Sequence, residues 1–124
     1  MRFRNSKHAM ICKTYVITTP YKLSNRCLAA VYLLSANKET WLRARHAIKG
    51  NRIDFSELPK TSLDTYQYAI VSAAQDLCED TRHITLYDVG DRNLMEYDLY
   101  DLIMSALQIC RDGYRALGVN RTFN

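Results

Sequence analysis

The chain has 124 residues, one domain's worth, with 48% apolar and 24% charged residues in ordinary globular proportion. Its longest apolar run, residues 27–34, falls far short of the roughly 20 residues a membrane-spanning helix needs, so an integral membrane role is excluded. The net charge of +4 hides an asymmetry: residues 1–52 carry eleven Lys/Arg against Glu39 alone, while residues 53–124 carry six against twelve acids.

Arg2, Arg4 and Lys7 precede only four apolar residues, Ala9-Met10-Ile11-Cys12, before Lys13 interrupts. A secretion signal needs an apolar core of roughly 7–15 residues, so the expected compartment is the cytoplasm. Residues 10–19 are rich in β-branched and aromatic side chains and end at Pro20, which predicts a short strand or, equally, a disordered arm. Residues 1–22 therefore form a basic N-terminal arm or strand, residues 23–113 a helical domain, and residues 114–124 a mobile tail.

Ser24 reads as a helix N-cap, with Leu23 and Leu28 placed as a hydrophobic staple. The helix runs to about Ser35 and is apolar almost all round, the pattern of a central, buried element. Asn37 caps a second helix over residues 38–49, stopped by Gly50. Ile53, Phe55 and Leu58 in the connector are expected to plug the core. Thr61 and Asp64 signal a third helix, whose Leu63, Tyr66, Ile70, Ala73, Ala74 and Leu77 fall on one stripe. Residues 81–89 read as a strand or as a loop closed by one helical turn. Residues 91–111 form the last helix, with Met95, Leu99, Leu102, Ile103, Ala106, Leu107 and Cys110 inward and Gly113 as its stop. The fold class is thus mainly α, a compact irregular four-helix domain. Leu28, Leu34, Trp41, Phe55, Ile70, Leu77, Ile103 and Leu107 are its expected core.

Cys12, Cys27, Cys78 and Cys110 are widely spaced and form no C-x-x-C, which predicts reduced, buried thiols. His8, His46 and His83 are scattered, with no metal-ligand spacing, and Cys78 with His83 has no motif behind it. No glycine-rich phosphate loop is present. The expectation is a non-enzymatic protein with no catalytic residue, cofactor or metal.

Two charged clusters remain. Arg43, His46, Lys49 and Arg52 are the expected exposed basic set, with Arg45 on the Trp41 and Ile48 side of the helix. Such a set suits an acidic or phosphate-bearing partner, although cations near a helix end are favoured by its dipole in any case. Tyr97, Asp98, Tyr100 and Asp101 make an acidic-aromatic candidate for a second partner surface. The basic half serves equally well as a counterweight to the acidic half.

The run LAAVYLLSANKETWLRARHAIKGNRIDFSELP, followed by AIVSAAQDL, resembles small uncharacterised helical proteins of bacterial mobile elements and phages. The resemblance spans residues 21–114, with Trp41 and Arg52-Ile53-Asp54-Phe55 as landmarks, and leaves out the basic N-terminal extension. It implies no activity and no catalytic residues. It does imply an accessory role, including anti-defence inhibition of the anti-CRISPR kind, by docking on a larger protein or ribonucleoprotein. Nucleic-acid binding by the basic N-terminal half is the alternative expectation.

Overall fold

In the computed structural model, which describes residues 1–121 and 123 and the backbone alone of Tyr97, the centre of the molecule is a helix with no polar face. This helix, α2 (Asn25–Leu34), follows α1 (Ser6–Thr18) and buries every residue from Cys27 to Leu34. Ser24 Oγ accepts the Cys27 N–H at 3.2 Å, the N-cap that the sequence predicts. α4 (Thr65–Glu79) and α6 (Tyr97–Asp112) pack on α2, which accounts for its burial on all sides. The class is mainly α, as expected.

Asn37 Oδ1 accepts the Thr40 N–H at 3.0 Å and starts α3 (Lys38–Ala47). That helix ends two residues earlier than its pattern predicts. Ile48–Lys49 (β1) and Arg52–Ile53 (β2) pair as an antiparallel hairpin, in register Ile48 to Ile53, around Gly50 at φ +65°. Asn51, in the hairpin turn, accepts the Ser24 N–H at 2.8 Å and ties the hairpin to the start of α2. Ile53, Phe55 and Leu58 are buried, as the connector's pattern requires.

α4 starts at Thr65, four residues after the Thr61 of the predicted signal, because Asp64 makes the tighter cap. Asp64 and Gln67 form a reciprocal capping box, with Gln67 N–H donating to Asp64 at 2.7 Å. Residues 81–89 resolve into a loop followed by the single turn α5 (Leu86–Val89). α6 begins at Tyr97, six residues after the predicted start, since residues 91–95 form turns instead.

Three expectations are corrected. The N-terminal segment is neither strand nor arm: Asn5 Oδ1 caps α1 through the His8 N–H at 2.8 Å, and His8, Cys12 and Val16 are buried. On α6 the inward row is Leu99, Leu102, Ile103, Ala106 and Ile109, whereas Leu107 is 43% exposed. Leu77 is half-buried. The tail is tied down through residue 121, with Leu117 and Val119 buried and the Arg121 guanidinium donating to the Val16 carbonyl at 2.7 Å. Gly113, at φ +67°, ends α6, and a Cβ there would lie 2.5 Å from Asn25 Oδ1. The left-handed φ is what calls for glycine at that crossing.

Candidate functional site

α1 buries His8, Cys12 and Val16 against the core, so residues two positions on point elsewhere. Met10, Ile11, Thr14 and Tyr15 of α1 meet Trp41, Arg45 and His46 of α3 along a shared open groove. Its floor is aromatic. Trp41 is buried and meets the Tyr15 ring edge-on, centroids 5.2 Å apart. Met10 stands beside it 63% exposed, and Arg45 and His46 form the rim from the last turn of α3. α1 contains no acidic residue, and α3 has only Glu39, whose carboxylate accepts from Gln67 at 3.1 Å. An apolar trough with a cationic edge results.

The predicted basic set is exposed but is not one patch. Of its members only His46 joins the groove. Arg43 donates to Ser62 at 3.3 Å, and Lys49 pairs with Glu57 at 3.1 Å. Arg52 lines a separate cleft with Lys60 and Glu79. Arg45, assigned by sequence to the Trp41 side, is indeed there, i and i+4 on one helix face.

The predicted acidic-aromatic surface is largely engaged from within. Arg2 pairs with Asp101 at 2.8 Å, and Arg4 with Asp98 at 3.3 Å. Asp98 also accepts from the Tyr66 hydroxyl at 3.2 Å, and burial together with that carboxylate pushes the Tyr66 phenol up. Tyr100 is exposed, while the Tyr97 side chain lies outside the described residues. The first residues of the basic half thus neutralise the acidic helix.

Cys78 and His83 line the same cleft, yet nothing activates the thiol. Cys78 Sγ faces the Arg26 carbonyl at 3.9 Å, and burial pushes its pKa up to about 12, the reverse of what a nucleophile needs. His83 Nδ1 is held by Asp76 at 2.8 Å. All four cysteines are free thiols, with Cys12 and Cys27 buried and Cys78 and Cys110 half-buried. Among the described residues no group of His, Cys, Asp and Glu is placed to hold a metal ion, and no helix is long and apolar enough to cross a membrane.

Sequence reasoning misses Met10, Ile11 and Tyr15, because it places them on a strand. The Asn5 cap and the i, i+4, i+8 spacing of His8, Cys12 and Val16 are the signals that reveal them. No family model, curated protein or solved structure matches this chain.

Proposed function

We propose that this chain is a non-enzymatic binding module that docks on a larger protein or ribonucleoprotein through the groove between α1 and α3. One observation carries the reading: an apolar trough of Met10, Ile11, Tyr15 and Trp41 is edged by Arg45 and His46, with no free carboxylate on either helix. Exposed apolar surface beside a polar rim is the general form of a protein contact, and aromatic and arginine side chains dominate the energetics of such contacts. The cationic rim favours an acidic partner surface and speeds encounter with it. The resemblance of residues 21–114 to phage and mobile-element proteins supports an accessory or anti-defence role for the docking, of the anti-CRISPR kind, in the cytoplasm.

The test is capture of partners from the native host by tagged wild-type protein and by Met10→Glu and Arg45→Glu, after nuclease treatment. The reading predicts protein partners that survive nuclease and are lost with either variant. A second reading, nucleic-acid binding, draws on the same cations and the aromatic floor. It predicts binding to random single strands that weakens steeply as salt rises, since phosphate contacts release counterions.

A further inference from the structure

The second surface of interest is α5, a single helical turn that the protein holds rigidly while exposing its apolar side chains. Leu86 is 91% exposed and Tyr87 79% exposed. The turn is not loose. Thr85 and Asp88 cap it reciprocally, at 3.1 Å and 3.0 Å. The loop before it is pinned by one carboxylate: Asp76 accepts from Thr81 Oγ1 at 2.6 Å, His83 N–H at 2.9 Å, His83 Nδ1 at 2.8 Å and Ile84 N–H at 2.7 Å. Burial alone would push the Asp76 carboxyl up, but these hydrogen bonds outweigh it and leave the carboxyl below its usual range. An ordered turn that spends two large apolar side chains on solvent calls for a cover.

Immediately beside this knob lies a hole. Leu33, Leu77, Ile84, Val89, Ile103 and Leu107 line an apolar pocket of about 190 Å³, and Leu86 forms one wall. Cavities of about 150 Å³ lined by such residues accept a benzene-sized guest, so one aliphatic side chain fits. Knob and hole share one face. A two-fold axis passing between them would insert Leu86 of each copy into the hole of the other, the self-complementary arrangement that an isologous dimer requires.

The charges agree with a second copy. The carboxylates inside the patch, Asp76 and Asp88, are occupied by hydrogen bonds to their own chain. At the edge stand Asp91, Arg92 and Glu96, beside α5, and none of them forms an ion pair within the chain among the described residues. A rim carrying both signs is complementary to itself under a two-fold rotation, so Arg92 of one copy can meet an acid of the other. The groove between α1 and α3 offers no such match, because its rim is cationic only.

We propose that the α5 face is a homodimer interface, with Leu86 of each copy seated in the pocket between α4, α5 and α6 of the other. The patch is smaller than the roughly 20–30 residues a side of a standard interface, so the dimer is weak and concentration-dependent. It leaves the groove between α1 and α3 free and does not rest on the function proposed above.

Sedimentation equilibrium from about 10 μM to about 1 mM, a range that covers weak association, tests the proposal on the wild type, Leu86→Glu and Leu107→Glu. The expected result is a wild-type mass rising toward twice the monomer value, with both variants monomeric throughout and their circular dichroism unchanged. Amide shifts on dilution of the wild type should concentrate in α5 and the pocket walls. Should Leu107→Glu unfold, Leu86→Glu decides alone, because its side chain touches the monomer only at the pocket wall and is otherwise 91% exposed. A wild type that stays monomeric, association that survives Leu86→Glu, or dilution shifts confined to α1 and α3 would overturn the proposal.

Discussion

His8 shows how one buried side chain fixes both a helix and a pH response. Its Nδ1 accepts the Arg4 N–H at 3.0 Å, so Nε2 carries the proton and donates to the Tyr32 carbonyl at 2.7 Å. A second proton would have to sit on Nδ1, against an N–H and beside the Arg4 charge. Burial lowers the His8 pKa from 6.5 to about 4, the hydrogen bond to the Tyr32 carbonyl opposing it in part and the Arg4 charge adding a smaller push downward. The unfolded chain therefore takes up this proton before the folded one does. Stability from His8 is complete above pH 6.5 and is lost as pH falls from there to about 4, on the order of 3 kcal/mol. Denaturant titrations across that window check this, and His8→Gln should flatten the slope. Ser72 offers the opposite case. Its hydroxyl is fully buried on α4 with no hydrogen-bond partner among the described residues, so Ser72→Ala should be neutral or stabilising by about 1 kcal/mol in thermal unfolding. Neither role was legible in the sequence, where His8 is one of three scattered histidines.

At the scale of elements, legibility followed the local signals. Ser24, Asn37 and Gly113 each mark an end that the chain obeys, and the all-apolar run 27–34 is the core helix because two amphipathic helices must cover it. α1 escaped because its apolar residues fall on several faces at once, so no stripe stands out, and its β-branched residues favour a strand locally. Packing against α2 overrides that preference. On α6 the observed inward face is rotated from the one its apolar pattern predicts. Choosing Leu107 and Cys110 over Ile109 keeps a helical period but turns the face toward the pocket beside α5. Ile109→Ala should therefore cost about 2–5 kcal/mol, the range for a buried aliphatic side chain. Leu107→Ala should cost well under half as much, because part of that side chain already meets solvent. Chemical denaturation of the pair measures the difference directly.

Across the whole molecule, the charge asymmetry is divided between two uses. Arg2 and Arg4 bind Asp101 and Asp98, which ties the N-terminal residues to α6 and neutralises the acidic helix. Exposed pairs of this kind contribute up to about 1 kcal/mol each, so Arg2→Ala should lower stability by less than that, and less again in high salt. Among the described residues Arg45 and His46 have no carboxylate partner, and they edge the apolar groove instead. The candidate site was half legible: its α3 side follows from the charge pattern, while its α1 side depends on a helix that only tertiary packing creates. The groove's role as the docking surface is tested most directly by quantifying partner capture from nuclease-treated host extract with wild type and with Met10→Glu/Arg45→Glu. Both changes lie at exposed side chains, so thermal stability should move by less than about 1 kcal/mol. Specific protein partners are expected for the wild type and their loss in the double variant. Undiminished capture by the folded double variant would contradict the groove's docking role.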